Sequence, residues 1–554
     1  MRQVKEIIRY WKTFIPEVIH CKGTVKFNFV LFLSLIGNLG FAANWYVSPG
    51  GIDITTNNNG QNPSNPLQTI SFAVNNAWMP GDTIFVMEGV YKNPGYGSGN
   101  LNNGPVVRLN VTGQSAGWLI IRNFPGQRPK IKFDGAGGFV SGNQTYLQIS
   151  GFEIEGPNQS ITIDEALADR LNHSNYFSGR GIAIWKGHHI NVHDNIIHDC
   201  PNSGIRINNG DYCNIHHNTV YNNTWWSSSA ESAIVYATSL NVDTSSAIKM
   251  RITHNLVYNN INHITFYSGA TGTGYGSASQ DYIIDGSGCY ITRNKDTYLY
   301  GWFYIANNIS YGNGINGVVV HKSDRAIVTN NTCYLNGAVP LSEGRQSSSG
   351  ITINSSSHVK VFNNISWPGY DTDYGYKIYN AASSNFIEAS NNILAKGLSD
   401  FTDSQYVFTD PFFIDASDFD FHLLETSPAI DAGLIFTDLP EDDFEGVTRL
   451  DNPPDIGAYE YSGNTPSNLL KVQNEINKVR VYPNPTTGTF SVKCSETRKN
   501  LKAGLYSVDG RLIENKTVSN SGIIRFDIEQ AGGIYVLKIQ NDEGEDCILK
   551  VIKE

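Results

Sequence analysis

From about residue 190 to residue 395 the chain repeats one short pattern of apolar and polar positions. INVHDNIIHD, CNIHHNTVYN, RITHNLVYN, YIANNISYG, IVTNNTCYLN, VKVFNNISW and EASNNILAK each hold a short alternating strand, an asparagine and a second short strand. The aligned asparagines are Asn195, Asn218, Asn255, Asn308, Asn331, Asn364 and Asn392, and their shortest spacing, 23 residues, occurs twice. Longer gaps are one repeat plus an insertion. A period of about 22 residues with two or three short strands is what a parallel β-helix requires, because strands then stack about 4.8 Å apart and equivalent turns fall above one another. Asparagine suits such a turn: it tolerates left-handed backbone, and its amide can bond to the next asparagine in the stack. A structural ladder is the expectation; a sugar-binding ladder is the alternative.

A third strand closes each repeat: GIAIWK, GIRINN, AIVYAT, GCYITR, GVVVHK and GITINS. Alternation turns Ile182 and Ile184, Ile205 and Ile207, Val318 and Val320, and Ile351 and Ile353 inward. Their neighbours then share one outward face: Trp185, Arg206, Asn208, Tyr290, Thr292, His321 and Asn354. Upstream, NWYVSPGG, PLQTISFAVNNAW and PGDTIFVMEGVY read as strand, helix and strand. Ile70, Ala73, Val74, Ala77 and Trp78 lie on one helical face that would cap the open first coil. The fold class predicted is all-β: a right-handed parallel β-helix with an N-terminal capping helix, followed by a small C-terminal β-sandwich.

The two ends add an export route. Basic residues through Lys22 and Lys26, an apolar run from Phe27 to Phe41, and Ala42–Ala43 read as a signal peptide over residues 1–43, against a membrane anchor. Six cysteines follow it, Cys200, Cys213, Cys289, Cys333, Cys494 and Cys547, in no metal-binding spacing. Export permits disulfides, and single buried thiols inside the coils are the alternative. Charged residues are 16% of the chain and the net charge is −11, which argues against a nucleic-acid partner. The same charge gives no long-range attraction to a polyanion, so local basic residues would have to supply it.

Residues 44–461 are assigned to the β-helix. Their last stretch, 408–461, with FTDPFFIDASDFDFHLLETSPAIDAG and DFEGVTRLDNPPDIGAYEY, resembles the choice-of-anchor Q segment that often ends bacterial β-helices. SGNTPSN opens a polar linker over 462–472. Over 473–554, VRVYPNPTTGTFSV, LYSVDGRLI, IEQAGGIYVLKI and ILKVIKE resemble the type A sorting domain of the type IX secretion system. That resemblance implies a small β-sandwich serving export and attachment, a Gram-negative Bacteroidetes host, and the type IX machinery as partner. The product would be secreted or held on the cell surface, and a monomer is expected. Residues 140–365, through HHINVHDNIIHDCPNSGI, NNTWWSSSAESAI, IIDGSGCYI and NGVVVHKSDRAIVTNNT, resemble pectate-lyase-like β-helix proteins, which implies a polysaccharide substrate.

β-Elimination from a uronate needs a base for the C5 proton and positive charge for the carboxylate-derived enolate. The outward face offers Arg206, Tyr290 and His321, with Lys186 and Lys322 just beyond strand ends; these five are the catalytic candidates. Arg206 and Tyr290 are expected two coils apart, about 10 Å, with His321 one coil further. Substrate contacts are assigned to Trp185, Asn208, Asn354 and the loop pair Trp225–Trp226, whose alternative is packing over the helix flank. Asp281 and Asp285 in the insertion 260–287, with Asp199, are calcium candidates; Asp285 before Gly286 would equally shape a turn. His188, His189, His193, His198, His216 and His217 read as stacked turn positions rather than metal ligands. A polysaccharide lyase is the leading reading, with a hydrolase using two carboxylates, an epimerase or a non-catalytic binder as alternatives. An enzyme predicts a groove lined by Arg206, Tyr290, His321 and the 260–287 insertion. A binder predicts a flat polar sheet.

Overall fold

The computed structural model describes residues 42–54, 60–229, 231–266, 283–339, 348–449, 453–461 and most of 479–553. The expected signal peptide and Asp281 lie outside these residues. Two compact units divide the chain, residues 1–460 and 461–554.

In the first unit three parallel sheets wind around one core. Sheet 1 has eleven strands from Asn44–Val47 to Asn385–Ser390; sheet 2 has ten from Val107–Leu109 to Leu398–Ser399; sheet 3 has eleven from Val90–Lys92 to Tyr406–Phe408. One coil runs His188–His193 in sheet 1, Ile196–His198 in sheet 3 and Ile205–Asn208 in sheet 2, before Asp211–His216 returns to sheet 1 above its start. Every strand pairs with its own kind in the next coil, so like residues stack: Ile190 on Cys213 on Met250. The isoleucines and valines expected inside are fully buried there. Cys200, Cys213, Cys289 and Cys333 are free thiols buried in the coils, which replaces the disulfide expectation for these four. Cys494 and Cys547 have side chains outside the described residues.

The asparagine ladder runs from Asn195 to Asn392 along the corner between sheets 1 and 3. Each Nδ2 donates to the Oδ1 of the next asparagine, at 3.0 Å from Asn195 to Asn218 and 2.9 Å from Asn308 to Asn331, and each backbone N–H donates to the same oxygen. The left-handed backbone falls one residue earlier than expected. Asp194, His217, His254, Asn307, Asn330, Asn363 and Asn391 take positive φ, while the ladder asparagines point into the core. A second ladder, missed in the sequence, joins Asn223, Asn260, Asn313 and Asn336 at the corner between sheets 3 and 2.

The predicted capping helix forms, in a shorter and wider shape: one α-turn, Ile70–Phe72, started by Thr69 accepting from the Phe72 N–H, then a π-turn over Ala73–Ala77. Ile70, Ala73, Val74 and Trp78 are buried beneath it.

Residues 408–461 run back along the side of the helix as a strap. A hairpin of Phe413–Asp415 and Asp420–Leu423 lays Phe419 on Tyr311, with ring centroids 4.3 Å apart, and Phe421 on Tyr334 at 5.1 Å. The left-handed asparagines hold the strap in successive coils: Asn391 donates to Ala432 O, Asn363 to Leu434 O, Asn330 to Asp455 O and Asn307 to Asp442 O. Arg449 has a fully buried side chain and binds Glu460 at 2.6 Å, Gly457 O and Asn307 Oδ1.

The second unit contains two antiparallel sheets, of three and four strands. Phe490, Val492, Ile524 and Phe526 of one share a core with Ala503, Leu505, Leu537, Ile539 and Val551 of the other, which makes the expected sandwich. No helix among the described residues is long and apolar enough to cross a membrane.

Candidate active site

On the outer face of sheet 2 the register builds two columns of side chains. Ala183, Arg206, Val235, Tyr290, Val319 and Thr352 form one; Trp185, Asn208, Ala237, Thr292, His321 and Asn354 form the other. Each strand then leaves the sheet through a left-handed residue, which makes a third column at the rim: Lys186, Asn209, Thr238, Arg293, Lys322 and Ser355. A cleft of about 640 Å³ opens over the middle of this face. Arg206, Tyr290, Thr292, His321 and Asn354 from the columns, and Arg293 and Lys322 from the rim, line it. Phe266, Ile284 and Asp285 from the insertion close one side, and His173 and Ser229 another. The face thus carries a cleft in place of a flat sheet, and Arg206, Tyr290 and His321 line it.

Its centre is a tyrosine–histidine pair. Tyr290 Oη lies 3.1 Å and Thr292 Oγ1 2.9 Å from His321 Nδ1, a diagonal contact between adjacent coils. Burial, then the charges of Lys322 and Arg293, lower the His321 pKa to about 4, so the imidazole is neutral at neutral pH. Burial and then nearby Asp285 push the Tyr290 phenol up, so it keeps its proton. Among the described residues the side chains of Arg293 and Lys322 have no hydrogen bond or ion pair, which leaves two free cations at the mouth.

Arg206 plays a different part from the one expected. Although it lies on the outward column it is buried, its guanidinium ion-paired with Glu231 and donating from Nε to Asn208 Oδ1 at 2.9 Å. Glu231 also binds Arg180 at 2.8 Å and accepts from Ser203 Oγ at 2.6 Å. Burial pushes the Glu231 carboxyl up, but Arg206 and Arg180 overcome it and hold the group at about 2. With its charge matched by Glu231 and its Nε and Nη1 engaged, Arg206 is a poor base; it lines the cleft. Asp285 is the opposite case: burial, and then the Glu231 charge, raise its pKa well above the usual range and favour the neutral acid.

The remaining sequence candidates fall outside the cleft. Lys186 occupies the rim position of Lys322, but four coils earlier. Trp185 stacks with Arg180, and Asn208 serves Arg206. Trp226 packs against Ile161, Ala166, Phe177 and Ile264, with its indole N–H donating to Asn158 O at 3.2 Å, and Trp225 meets the His263 ring edge-on. Trp226 thus packs over the helix flank, and both indoles stay half-buried. Asp199 binds His198 Nδ1 at 2.6 Å and accepts from Gln159 at 2.8 Å, away from Asp285. Calcium wants several ionised oxygens together. Asp199 is engaged by His198 and Gln159, Asp281 lies outside the described residues, and among the described residues no cluster of three possible ligands includes Asp199 or Asp285.

Glu231 and Arg293 were missed in the sequence. Arg293 had a signal: aligning GCYITR with GVVVHK puts it level with Lys322. Glu231 had a weaker one, as the lone acid in a serine-rich loop just before an inward-facing strand.

Residues 126–276 match the family described as right handed beta helix region, and residues 480–554 match the secretion system C-terminal sorting domain. The chain thus carries a right-handed β-helix and a tail that sends it through the type IX secretion system, to the cell surface or beyond. No curated protein matches the chain in sequence. Among solved structures it is similar to a GH136 lacto-N-biosidase from Eubacterium ramulus, at 12% identity over 67% of this chain and 58% of that one, TM-score 0.33. It is also similar to the mannuronan C-5 epimerase AlgE6 A-module of Azotobacter vinelandii, at 14% identity over 59% of this chain and 83% of that one, TM-score 0.31. A mutant of the PL6 family alginate lyase AlyGC matches at 13% over 76% and 59%, TM-score 0.24. The chain spans less than two thirds of the lacto-N-biosidase and of the alginate lyase. At such scores the likenesses carry no argument about chemistry, and the reading of the site rests on its own side chains.

Proposed function

We propose that the chain cleaves a uronate-containing polysaccharide by β-elimination in the cleft on sheet 2. The observation that carries this reading is the contact of His321 with Tyr290, beside Arg293 and Lys322, which have no partner among the described residues, on a protein whose net charge is −11. Arg293 and Lys322 hold the uronate carboxylate and stabilise the charge that spreads into it once C5 loses its proton. His321 donates Nδ1–H toward Thr292 and Tyr290, and its Nε2 lone pair takes the C5 proton. The C5–H electron pair becomes the C4=C5 double bond, the C4–O4 bond breaks, and O4 takes the Tyr290 proton. The imidazolium then passes its Nδ1 proton to the tyrosinate 3.1 Å away, and loss of the Nε2 proton to solvent with return of a proton to Nδ1 restores the starting tautomer.

The test is incubation of the exported protein with pectate, alginate and glycosaminoglycans, with and without calcium, while following absorbance of the unsaturated product. Cleavage that disappears in His321→Ala and Tyr290→Phe supports the reading. No unsaturated product from any uronate polymer overturns it, and exchange of the C5 proton without cleavage turns it toward epimerisation.

A further inference from the structure

At the corner between sheets 1 and 3, opposite the cleft, two adjacent histidines meet in a way a regular strand forbids. Successive strand residues point to opposite faces. His216 ends the sheet 1 strand Asp211–His216 facing outward, and His217 would normally turn into the core. Its left-handed backbone, φ 52°, turns it outward instead, and the two Nδ1 atoms lie 2.8 Å apart. The coil before carries a His193–Asp194 pair at these positions, and the coil after carries Thr253–His254. The neighbouring rings fix both planes: His193 stacks on His216 and His254 on His217, each with centroids 4.8 Å apart and nearly parallel. His217 remains exposed to solvent.

The hydrogen bonding assigns the protons. His216 Nε2 lies 3.0 Å from Asn191 Oδ1, an acceptor, so Nε2 carries the hydrogen and Nδ1 presents its lone pair to His217. A ligating imidazole nearly always donates its other N–H to such a partner, which fixes the tautomer and raises its basicity. Moving the His217 proton from Nδ1 to its solvent-facing Nε2 frees the second lone pair without changing net charge. Two nitrogens about 2.0 Å from one ion sit about 2.8 Å apart at a right angle and about 3.3 Å apart in a tetrahedron. The observed spacing matches the right angle, the geometry of tetragonal copper(II) and nickel(II).

We infer that His216 and His217 form a cis-chelating site for a tetragonal divalent transition metal, with water in the remaining positions and Asn191 as the supporting acceptor.

The site is independent of the proposed cleavage reaction, so its test does not use activity as the readout. Cupric chloride is titrated into the full-length exported protein, and binding is followed by calorimetry and electron paramagnetic resonance. One tight site with a tetragonal spectrum and coupling to two nitrogens is expected. His217→Ala, an exposed position that leaves the fold intact, should weaken it at least tenfold and remove one nitrogen coupling; Asn191→Ala should weaken it several-fold. Copper binding in His217→Ala equal to that of the unmodified protein overturns the assignment. So does loss of the tight site in His188→Ala/His189→Ala, whose Nδ1 atoms are also close at 2.9 Å, while His217→Ala keeps it.

Discussion

The corner between sheets 1 and 3 and the outer face of sheet 2 are built by the same coils, yet they obey opposite rules. At the corner, the same asparagine recurs from coil to coil and each buried amide is matched by the one above it. On sheet 2, successive coils place Arg206, Val235, Tyr290 and Val319 in one column, and the loops between them differ in length and sequence. Repetition solves the backbone problem once for the whole helix. Variation on a supported face is then free to assemble a charge pattern that a repeat could not, such as a neutral His321 beside the cations Arg293 and Lys322. Stability then resides in the ladder, the proposed chemistry draws on the irregular column, and substitutions can set the two against each other.

The largest expected effect is on the ladder. Asn308→Ala removes the Oδ1 that accepts from both the N–H and the Nδ2 of buried Asn255, and the amide that donates to Ile252 O, Ala306 O and Asn331 Oδ1. Each buried donor left without a partner costs about 1–3 kcal/mol, so a loss of about 3 kcal/mol or more in denaturant unfolding is expected. Whatever protein stays folded should keep its KM. A large KM change with unaltered stability would show that the ladder reaches the cleft.

Second in size is the converse. His321→Ala or Tyr290→Phe should lower kcat by about 10²–10⁴-fold, the range of general acid–base groups, with a melting temperature close to that of the unmodified chain. Equal losses of stability and activity would erase the distinction between the two regions.

Reading the sequence alone follows the same division. The ladder, the inward isoleucines and the sheet 2 columns were legible because a repeat reports its own register. Tyr290 and His321 were legible as facing positions for that reason. Their contact was not, because it depends on a diagonal approach between coils. Glu231, which fixes Arg206, lies in a loop rather than in a repeated strand, and the flank that Trp226 packs on comes from residues 161–177 and Ile264, distant from it in sequence. The strap was invisible for a related reason: its bonds run from Asn363 to Leu434 and from Asn330 to Asp455, across separations that no local pattern encodes.

A smaller effect separates the two cations from the pair they flank. Arg293→Ala and Lys322→Ala should each raise KM about tenfold on a uronate polymer, and the double substitution more than either. Both residues contribute to lowering the His321 pKa, so each substitution should also move the acid limb of kcat/KM upward from about pH 4. A limb that stays in place while KM rises would confine these residues to binding.

The smallest expected effect is in pH dependence, and it distinguishes the regions without altering the cleft. On sheet 3, His198 is buried between Asp199 at 2.6 Å and Glu153 at 3.3 Å. Burial alone would lower its pKa, but the hydrogen bonds and charges of these two carboxylates win and raise it to about 9. A pKa raised in the folded state gives stability that is complete below the unfolded value of about 6.5 and is lost as pH rises through about 9. The melting temperature should therefore fall between pH 7 and pH 9.5, by an amount corresponding to about 1–3 kcal/mol. His198→Gln should flatten that slope. Over the same interval His321 stays neutral and Tyr290 stays protonated, so kcat/KM measured well below the melting temperature should hold steady. If activity instead declines in step with stability through that range, and His198→Gln abolishes both declines, then the sheet 3 ion pair is coupled to the sheet 2 cleft and the two regions are not separate systems.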